Sequence, residues 1–213
     1  MPEPVATTRT AAPPIRFGIH GSSHLAERII AAAGHDPAEV DFVQYGVADP
    51  FGPLRAGEMD VMIVKYALSE PDVACSRPLM VDGRAVIVSA DHPLAVRDTV
   101  SVEEVAEYDA FGCPRDFPPY VWDKIVPPGT PGGVPIRRVH PMTTVEAMVA
   151  VLTRTHAVHL SFRSLEAFVP PHIRVVPIHD LPAAPVSLAW RRDADLPAPV
   201  AQLISDAERS AEH

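Results

Sequence analysis

The sequence predicts an α/β fold, and three of its features lead to this prediction. Short apolar runs with the composition of β-strands recur throughout, for example at residues 15–20, 61–64 and 85–89. Helical patterns lie between many of these runs. The hydrophobic content, 47% of 213 residues, is sufficient for a packed core in one large domain or two small ones. Further strand-like runs lie at residues 40–45, 110–113, 136–140, 157–160, 173–178 and 186–190.

Two segments carry the clearest helical patterns. In residues 24–33 the apolar side chains recur on one face, as in an amphipathic helix. Residues 145–152 carry apolar side chains in nearly every turn, which is typical of a buried helix. Strands that alternate with helices imply parallel sheets, right-handed crossovers and helices on both faces of each sheet.

Hydroxyl and carboxyl residues three positions apart predict where two further helices begin. Ser101 and Glu104 form one such pair, and the chain repeats the spacing further on. Thr143 and Glu146 form the second pair. In a capping box of this kind the two side chains satisfy free amide groups of the first turn.

Proline-rich segments predict where the chain forms loops. Clusters at residues 117–119, 127–135 and 169–171 break the periodicity, because proline lacks the main-chain N–H and disrupts a helix interior. The middle cluster, PPGTPGG, is either a mobile flap beside a cleft or a plain surface loop. Residues 1–14 carry four prolines and no apolar periodicity, so we expect a flexible leader there.

Charge and composition argue against several classes of protein. The formal net charge is −9, from 18 basic and 27 acidic residues, and this balance disfavours nucleic-acid binding, which depends on phosphate neutralisation. No stretch approaches the roughly 20 apolar residues that cross a bilayer. We expect a soluble cytoplasmic protein in which Cys75 and Cys113 are reduced thiols.

Five segments, in a fixed order, resemble one protein family. LRAGEMDVMIV at residues 54–64 has the family's helix end, glycine turn and acidic residue before a strand. ADHPLAVRDTVSVEEVAEYDAF at residues 90–111 is similar to the stretch that enters its second lobe. MTTVEAMVAVL at residues 142–152 resembles its ligand-facing helix, and residues 15–33 and 186–193 extend the likeness. The family is the effector-binding domain of LysR-type transcriptional regulators.

The resemblance implies the type 2 periplasmic-binding-protein fold. This fold has two Rossmann-like α/β lobes, joined by two crossing connections, with a ligand cleft between them. Lobe I is expected at residues 15–82 and 163–213, and lobe II at residues 83–162.

The chain departs from the family pattern in front of the domain and inside it. Family members usually carry a winged helix-turn-helix and a linker helix first, whereas here the first predicted strand begins at Ile15. We therefore expect no direct contact with DNA; the alternative is that the chain is a piece of a longer regulator. Thr155 and Ala157 replace glycines that are common in the family, and Phe162 replaces a proline, so altered cleft chemistry is expected.

Two helix N-termini are the predicted ligand contacts, because their amide groups are unpaired and attract negative charge. The first lies in the sequence HGSSH, where His20, Ser22 and Ser23 are the candidate ligand-binding residues. The second supplies Thr143 and Thr144. The alternative for each hydroxyl residue is a helix cap without a ligand contact.

Residues after the strand that ends near Phe111 add further candidates. Arg115 is expected to pair with a ligand carboxylate in the bidentate geometry of guanidinium, or else to be a solvated loop arginine beside Asp116. Tyr120 and Trp122 are expected to pack against the second lobe, with an aromatic cleft wall as the alternative.

Histidines at strand ends are the candidates for catalysis. His20, His24, His140 and His159 lie at or near ends that should face one opening, and imidazole transfers protons near neutral pH. The alternative for each is a structural role. Cys113 is a candidate nucleophile with His140 or His159 as its base, although packing is the commoner role of cysteine. The motifs of metal and cofactor sites are missing from the sequence, so neither group is predicted.

The sequence leaves two functions open. The first is a stand-alone effector-binding protein that closes over a small, anionic, carboxylate-bearing metabolite and thereby changes a homodimer interface or another partner contact. The second is an enzyme of a biosynthetic pathway on the same fold, either a lyase or dehydratase, an isomerase or a cyclase, with the cleft histidines as acid and base.

Overall fold

A computed structural model describes residues 13–212, so the predicted leader lies almost wholly outside the described residues. The strands of this part are β1 (Ile15–Ile19), β2 (Val40–Gln44), β3 (Val61–Lys65), β4 (Val73–Cys75), β5 (Met80–Asp82), β6 (Arg84–Ser89), β7 (Ala110–Phe111), β8 (Arg138–His140), β9 (His159–Phe162), β10 (Ile173–Pro177) and β11 (Ala184–Arg191). The α-helices are α1 (His24–Ala32), α2 (Gly52–Arg55), α3 (Val102–Val105), α4 (Pro119–Ile125), α5 (Val145–Arg154) and α6 (Ala198–Ser210). Short 3-10 helices lie at Pro37–Glu39, Pro93–Val96 and Arg163–Ala167.

The first sheet has the strand order β2-β1-β3-β11-β4, and β5 also pairs with β11. β1 runs parallel to β2 and β3, whereas β11 runs antiparallel to β3, β4 and β5. The apolar faces of α1 and α6 cover this sheet, and Ile30 and Leu203 from these helices share one core with Phe17 and Leu188 from the strands. The amphipathic pattern at residues 24–33 therefore marks a helix that packs on a sheet.

A three-stranded sheet, β10-β6-β9, and a two-stranded sheet, β7-β8, form the second part of the molecule. Ile87, Phe111, Leu152 and Leu160 meet in its core. β6 is antiparallel to both of its neighbours, and only β7 and β8 are parallel. The expectation of parallel sheets is thus correct for β1, β2 and β3 and for the pair β7 and β8, and wrong for β11 and for the sheet around β6. β6 is buried along its whole length, so its continuous apolar run has the pattern typical of a parallel strand.

The chain crosses between the two parts twice. It leaves the first sheet at β5 and enters β6 after Gly83, and it returns between β10 and β11. The expected boundary after Phe162 would put β10 in lobe I, yet β10 pairs with β6 along five residues. The division of the chain into lobes at these residues stays a prediction.

Side-chain hydrogen bonds fix two of the helix starts and one loop. The predicted capping box of Ser101 and Glu104 is present at α3. At α5 the prediction is wrong by one residue, because Thr144 accepts the cap hydrogen bond from the amide of Ala147 at 3.1 Å. Glu103, on α3, accepts hydrogen bonds from the Thr130 hydroxyl at 2.6 Å and the Gly132 amide at 2.7 Å, which tethers the PPGTPGG loop.

Arg84, at the start of β6, is a buried cation that joins four segments of the chain. Its guanidinium donates to the main-chain oxygens of Ser161 on β9 at 3.3 Å and Lys124 on α4 at 2.9 Å. It also donates to the oxygen of Ile125 and, at 2.9 Å, to the hydroxyl of Tyr66. Burial lowers the pKa of Arg84, while Tyr66 partly opposes this. The guanidinium satisfies carbonyls at the negative end of α4, where a cation is favourable.

Substitution of Arg84 tests how much its hydrogen bonds contribute to the stability of the fold. Arg84→Met should lower the free energy of unfolding by about 2–4 kcal/mol, because several buried carbonyls lose their donor. Urea denaturation measures the loss. Arg28→Met, on the exposed face of α1, is the matched control and should change stability by less than about 0.5 kcal/mol. Equal stability of the two variants would contradict the role given to Arg84.

Candidate ligand-binding site

A cavity of about 150 Å³ lies between the two parts of the molecule. Met62 and Lys65 of β3 line one side of it, and Ile87 of β6 and His159 of β9 line the other. Gly21, in the turn after β1, and Met142, in the turn after β8, both face it. The two predicted turns therefore meet at one hollow, as a two-lobed cleft requires.

Gln44 holds the turn after β1 in place. Its side-chain amide donates to the oxygen of Gly21 at 2.9 Å and accepts from the nitrogen of Gly21 at 3.2 Å. Gly21 has a φ of 74°, a conformation that side-chain-bearing residues rarely adopt, and an added Cβ would lie 3.1 Å from Leu165. Glycine is therefore needed at this point of the cavity wall.

Three of the four hydroxyl groups at the predicted helix ends form hydrogen bonds within their own segment of the chain. Ser22 lines the cavity, and its hydroxyl accepts from the amide of His24 at 3.1 Å. The Ser23 hydroxyl donates to Glu27 at 2.6 Å, and neither Ser23 nor Thr143 or Thr144 is among the lining residues. Both threonines are exposed. The structure thus brings only Ser22 of these residues to the cavity.

Arg115 and Cys113 lie outside the cavity. Arg115 is exposed in the turn that precedes α4 and is not among the lining residues. Cys113 is also exposed, and its thiol contacts the main-chain oxygen of Phe117 at 3.5 Å. Desolvation raises the pKa of the Cys113 thiol, which disfavours the thiolate that a nucleophile needs.

Two of the four predicted histidines, His20 and His159, line the cavity, whereas His24 and His140 do not. His24 is the first residue of α1 and is exposed. The ring of His140 lies 5.6 Å from that of Phe111, and His140 is not among the lining residues. β1 and β8 end next to His20 and at His140, as predicted, whereas His159 is the first residue of β9.

His20 is anchored by the neighbouring strand. Its Nδ1 lies 3.0 Å from the main-chain oxygen of Tyr45, and the two rings are 5.6 Å apart. Tyr45 in turn donates its hydroxyl to the oxygen of Ile63 at 3.1 Å. Burial lowers the pKa of His20, the hydrogen bond to Tyr45 opposes this, and the charge of Lys65 lowers it further. His20 is therefore mainly neutral at neutral pH.

His159 is enclosed by aromatic rings. It lies edge-on to Phe111, with centroids 5.5 Å apart, and stacks on Trp122 at 6.1 Å. Burial, assisted by the charge of His20, lowers the pKa of His159 to about 3. Its Nδ1 and the Nε1 of Trp122 are buried, and neither has a hydrogen-bond partner among the described residues. Such groups cost free energy until a partner arrives.

Lys65 is the lining residue that the sequence analysis missed. Its Nζ lies 2.9 Å from Asp82, 3.2 Å from the Ser164 hydroxyl and 3.9 Å from the centre of the Phe162 ring. Burial lowers the pKa of Lys65, and Asp82 opposes that shift. A lysine at the carboxyl end of a buried strand was the available signal. Phe162 supplies the aromatic face beneath the ammonium.

The remaining wall is largely apolar and aromatic. Trp122 has both of the roles considered for it, because it packs in the core and lines the cavity. Other apolar lining residues are Leu25, Val47, Phe51, Leu68, Phe117, Val121, Val145, Met148, Leu165 and Phe168. The residues of the PPGTPGG loop do not line the cavity, which agrees with a surface loop.

Residues 13–212 show no arrangement typical of a metal site or of a membrane-spanning helix. This range contains no group of three or more histidine, cysteine, aspartate or glutamate residues arranged to hold a metal ion. None of its helices is both long and apolar enough to cross a bilayer.

The burial of His159 makes stability depend on pH. Its pKa is about 3 in the folded state and about 6.5 when unfolded, so the unfolded state takes up the proton first as the pH falls below 6.5. Between about pH 7.5 and 5.5 this group should lower the free energy of unfolding by on the order of 1 kcal/mol. Urea denaturation of wild type and His159→Phe measures the difference. An identical pH dependence in the two proteins would contradict a buried neutral His159.

Comparison with known proteins identifies the family. The family model described as the LysR substrate binding domain matches residues 14–211. No curated protein matches the chain. Among solved structures, the LysR family transcriptional regulator CbnR has a TM-score of 0.70 and 14% identity, over 94% of this chain and 70% of that chain.

Two further structures show the same fold. The effector binding domain of QuiR, in complex with shikimate, has a TM-score of 0.66 and 17% identity, over 95% of this chain and 98% of that chain. An OxyR mutant from Corynebacterium glutamicum has a TM-score of 0.65 and 14% identity, over 96% of this chain and 66% of that chain. Because the family model covers nearly the whole chain, the protein belongs to the LysR substrate binding domain family.

Proposed function

We propose that this protein binds a small-molecule effector in the cavity between its two lobes. The observation that carries the proposal is the cavity itself, which residues from both parts of the molecule line with apolar walls and a few polar groups. The related domain of QuiR was solved with shikimate, which supports an effector of metabolite size. Closure of the lobes on the effector is the response that the fold offers.

In this proposal, closure of the lobes acts on a partner through a protein–protein contact. The net charge of −9 disfavours a phosphate backbone as partner, which supports an effector-binding protein that does not itself contact DNA. A homodimer is the proposed partner arrangement, and the cytoplasm is the proposed location. Both extend the proposal and are separate from effector binding.

A carboxylate on the effector was the expectation from the sequence. His20, Ser22 and Lys65 are the polar residues that would receive it, since Arg115, Thr143 and Thr144 lie away from the cavity. The carboxylate stays a prediction, and it has less support because these three candidate residues do not line the cavity.

The enzymatic alternative has less support than binding. An acid or base needs a pKa near the working pH, and that of His159 is about 3. His24, His140 and Cys113 do not line the cavity. A lyase, isomerase or cyclase activity stays a prediction, which mass analysis of each ligand after incubation with the protein tests.

A substitution that fills the cavity tests effector binding. A ligand found by a thermal-shift screen, with shikimate among the compounds, should at about a hundredfold excess over its Kd stabilise the wild type by about 2.7 kcal/mol. Val145→Trp should abolish the shift, because residue 145 lines the cavity. Val149→Trp, one turn further along α5 and outside the lining, is the control and should retain it. A shift that survives Val145→Trp would place the ligand elsewhere.

A further inference from the structure

The fixed charges around the cavity are already balanced. Lys65 is the one lysine or arginine among the described lining residues, and its ammonium forms an ion pair with the buried Asp82 at 2.9 Å. His20 and His159 are held neutral by burial. A ligand carboxylate would therefore leave water for a largely apolar cavity without a free counter-ion, and such burial is unfavourable.

The two helix N-termini also carry carboxylates of their own. Glu27 lies in the first turn of α1 and accepts from Ser23, and Glu146 lies in the first turn of α5. A hydrogen bond from its own amide, with a second from Thr144, lowers the pKa of Glu146. Each side chain occupies the positive end of its helix, so neither end favours a second anion.

The unsatisfied polarity of the cavity is of another kind. The Nε1 of Trp122 is a donor only, and the Nδ1 of His159 is able to donate in one of its neutral forms. Both atoms have almost no accessible surface and no partner among the described residues, and their stacked rings line the cavity, so an oxygen in the cavity reaches them when the rings turn toward it. A neutral oxygen on a ligand would satisfy them at no cost in charge burial.

Size and lining indicate the rest of the ligand. A closed apolar cavity of roughly 150 Å³ accommodates a benzene-sized molecule. The cavity here has about that volume and is lined mainly by apolar and aromatic side chains, including Phe51, Met148 and Phe168. The wall therefore fits one apolar ring better than a polyhydroxylated or multiply charged molecule.

We propose that the effector is an uncharged, mainly apolar molecule with a ring-sized body, whose acceptor oxygen receives hydrogen bonds from Trp122 and His159. This inference rests on the proposed function, since it specifies the ligand class of the same cavity. It replaces the expected carboxylate by a neutral carbonyl, ether or hydroxyl oxygen.

Three probes of equal heavy-atom number test the inference on the full chain: acetophenone, benzoate and α-methylstyrene. They carry, respectively, a neutral acceptor, a carboxylate and no polar atom. Ligand-detected NMR titration measures Kd for each probe at concentrations up to about 10 mM, the range expected for ligands of this size. Acetophenone should bind at least about tenfold more tightly than benzoate.

Two variants test the acceptor contact. Trp122→Phe should weaken acetophenone about tenfold more than it weakens α-methylstyrene, because both probes lose contact with the larger indole ring but only acetophenone also loses a hydrogen-bond donor. His159→Phe, which keeps a ring in the aromatic stack, should have the same selectivity and serves if Trp122→Phe does not fold. Circular dichroism and thermal melting establish folding.

Each other outcome overturns the inference in a distinguishable way. Benzoate binding as tightly as acetophenone, and lost in Val145→Trp, would refute the neutral ligand while leaving the proposed function intact. Acetophenone binding that neither ring variant weakens would refute the acceptor contact. No binding of any probe would refute the ligand class, whereas effector binding itself is decided separately by the thermal-shift screen with the Val145→Trp and Val149→Trp pair.

Discussion

The buried guanidinium of Arg84 is the interaction on which the arrangement of the two lobes depends. It lies at the first residue after the chain crosses from one sheet to the other, and it binds the end of α4, the strand β9 and Tyr66 beyond β3. Tyr66 itself has a φ of 68°, which costs free energy in a residue other than glycine. The hydrogen bond from Arg84 helps to offset that cost. Among these contacts only the hydrogen bond to Tyr66 joins Arg84 to the first part of the molecule, so movement of one lobe against the other would have to preserve or exchange it.

The cavity lies beside the hydrogen bonds of Arg84. Its wall is mainly apolar, and the one lysine in the described wall is paired with Asp82. Helix α4 connects the cavity to Arg84, because its C-terminal carbonyls bind Arg84 while Val121 and Trp122 line the cavity. A ligand that contacts Trp122 therefore contacts a helix whose position is fixed by the crossing strand. A ligand shifts the balance between open and closed forms when it binds one form more tightly than the other, and a contact with Trp122 made in only one form would have this effect.

The sequence predicted the fold better than it predicted the site. Period and family resemblance located strands, helices and the two turns at Gly21 and Met142, because these features depend on local pattern. Strand direction at β6 was not predictable from that pattern, since this antiparallel strand is buried along its whole length and its continuous apolar run is typical of parallel strands. At the site, His20 and His159 were found because they stand at strand ends. Lys65 was missed, because its partner Asp82 and the ring of Phe162 are distant in sequence.

Phe162 connects the cavity to the contacts of Arg84. Its ring lies under Lys65 and close to Arg84, with 5.3 Å between the guanidinium carbon and the ring centre. An aromatic face attracts both cations, an interaction that the proline expected from the family resemblance would not provide.

The position of β11 has a consequence for how the chain is made. This strand lies between β3 and β4 and is the hydrogen-bonding partner of three other strands of the first sheet, yet it follows all the other described strands in the sequence and leaves the ribosome after them. A nascent chain that has emerged as far as β10 already holds every strand of the second sheet. Its β3, β4 and β5 still present open edges, which are sites of unwanted pairing. Translation thus imposes an order in which all strands of the second sheet are available before the first sheet receives β11.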